Sequence, residues 1–272
     1  IDFQKKNRRS KWRHKAAFNY NYIDNYIPAD EVLNGWDQTQ AFRAKYTLTN
    51  SQALKPFFLN IEFEQGTFDN ASNLTVIQDY AKASLSASWR FNYNWNLDGV
   101  DLRMFAGYFF KNNTTDPRFN WQLDGQNGYQ DYLYDHIFLG RRTGHPDMLS
   151  QQMVENHGAF KTQTGFGSSN SWLVAGNIKV DLPMPFIALY ADAGVLPIYI
   201  VNQQRYEARY LYNAGVNLKI RRGLLDIYIP LALHQDIVDE HEFQGINFLQ
   251  RIRFTFNIKS LNPFKLLKGL DI

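Results

Sequence analysis

Hydrophobic and polar positions alternate with a period of two along most of this chain, and most cleanly from Ala81 to Asn96. Ala81, Ala83, Leu85, Ala87, Trp89, Phe91, Tyr93 and Trp95 fall on one side, and Lys82, Ser84, Ser86, Ser88, Arg90, Asn92, Asn94 and Asn96 on the other. This is the signature of a β-strand with one apolar and one polar face. An ordinary strand runs about 5–6 residues; this pattern runs far longer and its apolar face ends in aromatics, as where a sheet meets a membrane–water interface.

The same alternation predicts further strands. One over about 11–22 sets Trp12, Ala16, Phe18, Tyr20 and Tyr22 against Arg13, Lys15, Asn19 and Asn21. Others are predicted over about 38–49, 56–65, 100–111, 130–140, 149–162, 171–182, 186–195, 206–220 and 225–233, with a last one ending near Lys259. The stretches 130–140 and 149–162 alternate poorly. Pro230 cannot donate to a ladder and predicts a bulge or local gap. The segment HQDIVDEHEFQG reads as an acidic loop. The expected fold class is therefore all-β, a transmembrane antiparallel up-and-down β-barrel of about twelve strands. It would span 11–259, after a basic periplasmic leader at 1–10 and before a periplasmic tail at 260–272. Long and short connections alternate, which places both termini in the periplasm of a bacterial outer membrane.

Composition narrows this picture. The 272 residues are 44 % hydrophobic and 16 % aromatic, yet the mean hydropathy is −0.43. No apolar run approaches the roughly 18–20 residues of a membrane-spanning helix. The chain has no cysteine, hence no disulfide and no thiolate chemistry. A net charge of +3 is too balanced to argue for nucleic acid. The expected partners are outer-membrane lipid and lipopolysaccharide, with other outer-membrane or periplasmic proteins. The sequence begins at Ile1 without a signal peptide, so a processed form or the C-terminal part of a longer exported protein is expected.

A soluble β-sandwich or lipocalin-like barrel would share the alternation, with the aromatics in a dry core; the strand lengths argue against it. In a membrane barrel, Trp12, Phe18, Tyr20, Trp89, Phe91, Tyr93, Trp95, Tyr108, Trp172, Tyr210, Tyr212, Phe254 and Phe256 form the lipid-facing aromatic set. Arg13, Lys15, Arg43, Lys45, Arg90, Arg103, Arg209, Arg251 and Arg253 face the lumen with Glu62, Glu64, Asp101, Glu207 and Asp226. Charges held away from water are expected to pair.

Candidate chemistry is sparse. His241-Glu242 is followed by Phe243-Gln244-Gly245, so the H-E-x-x-H zinc signature is missing its second histidine. His234, Asp236, Asp239, Glu240, His241 and Glu242 lack defined metal-ligand spacing, and Gly165 to Asn170 is a Gly/Ser loop too weak for a phosphate cradle. A Ser-His-Asp triad is recognised by geometry and not by spacing. No catalytic residue, metal or cofactor is assigned. The expected function is a non-catalytic membrane anchor or scaffold; the alternatives are a narrow anion-preferring channel and an outer-membrane lipid hydrolase.

An ordered series of short motifs carries a resemblance. It comprises Phe138-Leu139-Gly140-Arg141, Leu149-Ser150-Gln151-Gln152, Gly158-Ala159-Phe160-Lys161, Ser168-Ser169-Asn170-Ser171-Trp172, Arg251 to Ile258, and Leu261-Asn262-Pro263-Phe264. From Phe138 onward the chain resembles the C-terminal region of large Bacteroidota zinc-aminopeptidase-like (gluzincin) proteins. The resemblance implies a barrel that anchors an upstream peptidase-like part, or a subunit of a larger outer-membrane assembly. It carries no peptidase residue into this chain.

Overall fold

The computed structural model describes residues 2–3, 11–27, 35–50, 52, 55–69, 78–93, 98–140, 148–184, 186–200, 205–220 and 224–257. Period-two segments become strands because alternation lets one row of side chains be buried while the other faces outward. The strands are β1 (Asp2–Phe3), β2 (Trp12–Ile27), β3 (Gly35–Asn50), β4 (Phe57–Asp69), β5 (Gln78–Asn92) and β6 (Gly99–Asn112). After β7 (Trp121–Gln122) and β8 (Ser168–Ser169) come β9 (Trp172–Asp181), β10 (Ile187–Ile200), β11 (Arg205–Ile220), β12 (Leu225–Leu233) and β13 (Arg253–Phe256).

Eleven of these form one sheet in the order β1-β2-β3-β4-β5-β6-β9-β10-β11-β12-β13, and β7 pairs only with β8. Every neighbouring pair in the large sheet is antiparallel. The protein is therefore an all-β antiparallel meander. Among the described residues the sheet does not close on itself: no ladder joins β13 to β2.

Two of the expected strands are absent. Residues 130–140 and 149–162 belong instead to an insert, 113–171, that leaves after β6 and returns at β9. The insert packs on the sheet: Phe119, Leu123 and Phe160 are fully buried against Phe68, Leu173, Leu196 and Leu211. Its backbone is irregular, with Tyr134, His157 and Ala159 at positive φ. Amide side chains take the place of a ladder. Gln152 accepts from Leu139 N–H at 2.7 Å and donates to Ile137 O at 2.9 Å, while Asn156 accepts from Gln126 N–H at 2.9 Å. A buried main chain needs such partners.

The acidic segment expected as a loop is helix α1 (Gln235–Phe243), and the side chain of His234 caps it by accepting from Asp236 N–H. The last strand is also shorter than expected, because Leu249–Arg251 forms a 3-10 turn before β13. Pro230 sits where the β11–β12 register shifts, opposite Gly215, as its missing N–H predicts. The leader (apart from β1), the tail and Trp95 lie outside the described residues.

The two faces of the sheet differ sharply. One carries Phe18, Tyr20, Phe42, Met104, Tyr108, Phe110, Leu189, Tyr210 and Leu231, all exposed. The other is covered by the insert and carries Tyr80, Phe105, Phe109, Leu173, Leu196 and Tyr228, all buried. The expected polar face is thus partly apolar, because it packs on protein. The connections at one end of the sheet are short; the insert and α1 both emerge at the opposite end.

Candidate functional site

The space between insert and sheet is not filled throughout. A cavity of about 880 Å³ runs from the insert toward the short-turn end. Ser84, Ser86 and Ser88 of β5 line it, and their small side chains leave it hollow. Pro56 and Phe58 line it at the short-turn end; Phe58 lies on the same face as buried Asn60, yet is 39 % exposed. Asp131, Asp135, His136, Glu155 and His157 of the insert form its floor.

Seven cationic and seven carboxylate side chains line this cavity. Most are paired across strands. Lys45 lies 3.4 Å from Glu62, and Arg43 reaches Glu62 at 3.7 Å and holds Asp135 of the insert through two hydrogen bonds. Arg90 spans Asp101 at 2.5 Å and Asp181 at 2.6 Å, and Lys219 also reaches Asp181 at 2.7 Å. Lys179 pairs with Asp226 at 3.4 Å, and Lys161 with Glu155 at 3.4 Å and Asp192 at 3.8 Å.

One cluster ties insert to wall most strongly. Lys82 is 4 % exposed and donates to Phe119 O at 3.0 Å. Its ammonium lies 4.9 Å from the Trp121 ring centre, 5.0 Å from Tyr132, 5.3 Å from Tyr80 and 5.4 Å from Phe109. Glu64, 3.7 Å away, neutralises it and accepts from the hydroxyls of Tyr80 and Tyr132.

Of the charges expected to face inward, Arg43, Lys45, Glu62, Glu64, Arg90, Asp101, Arg103 and Asp226 fall in or beside this network. Arg253 is buried and pairs with Asp124 of the insert at 3.5 Å. Arg209 reaches Asp236 of α1 at 3.2 Å. Among the described residues Glu207 pairs only with exposed Arg205, and Arg251 lies in the 3-10 turn. Arg13 and Lys15 are exposed on β2, where Lys15 is the register partner of Asp2 on the edge strand β1. In the aromatic set, Trp12, Phe18, Tyr20, Phe91, Tyr93, Tyr108, Tyr210 and Tyr212 are exposed, and Trp89, Trp172 and Phe256 half-buried. Phe254 is a correction: it is buried, because Gln152 and Met153 of the insert lie along β13, with Met153 N–H bonded to Phe254 O.

Sequence reasoning missed Lys82, Lys161, Asp135, Asp181 and Asp192. Lys82 and Asp181 lay on polar faces already identified. The residues from the insert were hidden by reading it as two strands.

Burial and neighbouring charges shift the titration of several insert groups. Burial pushes Asp124 up to about 6 despite the Arg253 charge. Burial also opposes ionisation of Glu155, but Lys161 and Lys179 hold it well below the usual carboxylate range. His157 is pushed well below the ordinary imidazole value by burial and then by the Lys82 and Arg103 charges. Its folded form is therefore neutral while the unfolded chain takes up a proton below about pH 6.5. Stability from this group is complete above that pH and is lost as the pH falls, by up to about 1.4 kcal/mol per pH unit. Asp124 acts in the opposite sense: its proton is favoured in the fold, so it adds stability as the pH drops below 6. His157→Gln is expected to remove the acid-side loss between about pH 6.5 and 5, read from melting temperatures across that range.

Helix α1 closes the long-connection end. Ile237 is fully buried in the core, and His241 Nε2 donates to Gln163 O at 2.9 Å. Glu240 accepts from Thr164 Oγ1 at 2.9 Å and from Gly165 N–H at 2.6 Å. Glu240→Ala is expected to cost about 1–2 kcal/mol in equilibrium unfolding.

No family of known proteins, no curated protein and no solved structure matches the chain. The fold and the cavity therefore define the class on their own: an antiparallel all-β protein whose buried face is occupied by its own insert.

Proposed function

We propose that this chain forms an outer-membrane β-barrel, closed between β13 and β2 and plugged by residues 113–171, and that it acts as a non-catalytic anchor or scaffold. The observation that carries the reading is the reversal of faces: large apolar side chains are exposed from β2 to β12, and ion pairs are enclosed on the other side. No water-soluble fold gains from such an arrangement, since a contiguous apolar surface of this extent seeks a non-aqueous partner. Strands of 13 to 16 residues from β2 to β6 exceed the roughly 9–11 needed to cross a bilayer.

Aromatic positions support the same reading. At the short-turn end, Trp12 contacts Phe57 at 5.7 Å between ring centres, and Phe57 contacts Trp89 at 5.2 Å. Nearer the other end, the register aligns Phe18, Ala44, Phe63, Ala83, Tyr108 and Trp172 in one row. Two aromatic bands with mainly aliphatic residues between them, His14 and Tyr46 apart, suit a membrane's two interfaces. The short turns then face the periplasm. The resemblance to Bacteroidota peptidase-like proteins adds the proposal that this scaffold serves a larger envelope assembly.

The plug and the equal numbers of opposite charges speak against an anion-preferring pore. Purified protein in planar bilayers is the test, alongside heat-dependent migration in detergent gels. A heat-modifiable but electrically silent protein is expected. Steady single-channel current from the intact chain, or solubility without detergent, would overturn the proposal.

A further inference from the structure

The cations around the cavity are not equally satisfied. Every other lysine or arginine lining it has a carboxylate within ion-pair distance. Arg103 is the exception among the described residues. Its guanidinium makes one side-chain hydrogen bond, to Asn177 Oδ1 at 3.0 Å, and lies 5.8 Å from the centre of the Phe105 ring. A guanidinium has five N–H donors in a fixed fork, and this one lines the cavity with a single side-chain hydrogen bond. Glu155 and Asp192 act on this charge only from beyond ion-pair distance, and holding it away from bulk water with no carboxylate in contact is costly.

The neighbours of Arg103 are donors too. Ser88 is its register partner on β5, and Ser86 follows on the same face. Asn60 of β4 is the register partner of Ser86, and its Oδ1 already accepts from Thr47 Oγ1 at 3.2 Å, which leaves its amide N–H groups to give. Among the described residues neither serine hydroxyl has a hydrogen-bond partner. Three adjacent strands thus present a guanidinium, two hydroxyls and an amide to one wall of an enclosed, polar space.

We propose that Arg103, Ser86, Ser88 and Asn60 bind the oxyanion head group, carboxylate or phosphate, of a small solute that enters from the short-turn end. Arginine matches the planar two-oxygen edge of either group, and the flanking hydroxyls complete the shell. The cavity volume of about 880 Å³ lies within the range of pockets that enclose a small molecule, so the ligand has a body beyond its head group. Phe58 near the mouth offers that body an apolar surface. The proposal needs only the cavity and stands whether or not the sheet closes into a membrane barrel.

Isothermal titration of the purified chain in detergent micelles, with inorganic phosphate and separately with acetate, tests this. Saturable one-to-one binding is expected, and the anion that binds more tightly identifies the head group. Arg103→Gln should weaken it by about tenfold or more and Ser88→Ala by about threefold, as loss of charged and neutral hydrogen bonds predicts. Arg103→Lys should retain part of the affinity. Lys111→Gln, at the far end of β6 where Lys111 pairs with Asp79, should leave it unchanged. An unaltered β-sheet circular dichroism spectrum with a cooperative melting transition shows each variant to be folded. Absence of saturable heat with both anions, equal binding by Arg103→Gln, or equal losses in Lys111→Gln would overturn the assignment.

Discussion

Lys82→Met is expected to destabilise the protein by about 3–5 kcal/mol, the usual result of removing one partner from a buried ion pair. Methionine fills most of the space within the rings of Tyr80, Phe109, Trp121 and Tyr132, so packing changes little. What is lost is the cation that neutralises Glu64, itself 5 % exposed, and the bond to Phe119 O that fastens the insert to β5. The carboxylate keeps the hydroxyls of Tyr80 and Tyr132, but two hydroxyls do not replace a charge. Adding Glu64→Gln removes the stranded carboxylate and is expected to restore a large part of the loss. A double-mutant cycle by thermal or urea unfolding in detergent measures the coupling. Additive losses in the two single variants would show that Lys82 and Glu64 do not act as a pair.

Gly194→Leu is the second large effect. A Cβ at this position of β10 would stand 2.4 Å from Leu123 Cδ1 and 3.3 Å from the Phe160 ring. Both residues are fully buried insert side chains, and neither has room to retreat. Overpacking of this kind costs about 1–3 kcal/mol, and the strain falls between insert and sheet. The expected result is a lowered melting temperature together with proteolytic cleavage within 113–171 while the sheet stays intact. Under the plugged-barrel reading, the same variant should pass current in a bilayer where the parent is silent. Unchanged melting and unchanged protease resistance would show that the insert does not seat on Gly194.

Nine long strands were legible because each obeys a simple rule over ten or so residues. In β5 and β11, apolar and polar residues alternate with few breaks, Tyr80 and Leu211 being the large ones on the polar rows, so both position and facing follow from the sequence. The insert obeys no period. Its structure rests on contacts remote in the chain: Trp121 against Phe105 and Phe109, Asp135 with Arg43, Asp124 with Arg253. Its many Asn and Gln residues were the available signal, since amide side chains serve a main chain that lacks a ladder. Phe105 and Phe109 were a second signal, as aromatic residues on a supposedly polar face need a protein partner. Helix α1 was missed because its composition is acidic throughout, and only Ile237 and His241 are buried. Half of the cavity network was readable, because charges on facing strands such as Lys45 and Glu62 declare themselves through register. Of the rest, Asp131, Asp135, Glu155 and Lys161 come from the insert and could not be paired before its path was known, while Lys82, Lys179 and Asp192 lie on strands.

The insert departs after the sixth strand, β6, and the chain returns as β9 to pair with that same strand, with Val100 beside Val180 and Tyr108 beside Trp172. Contacts so distant in sequence form slowly. The hairpins from β2 to β6 close over a few residues each, whereas β9 cannot pair with β6 until the insert has folded back. The later strands must then assemble around a segment already present, and Leu196, Leu211 and Tyr228 would use it as their template. On this order of events the insert is a mandrel for the second half of the sheet, and its deletion should harm biogenesis more than it harms the finished protein.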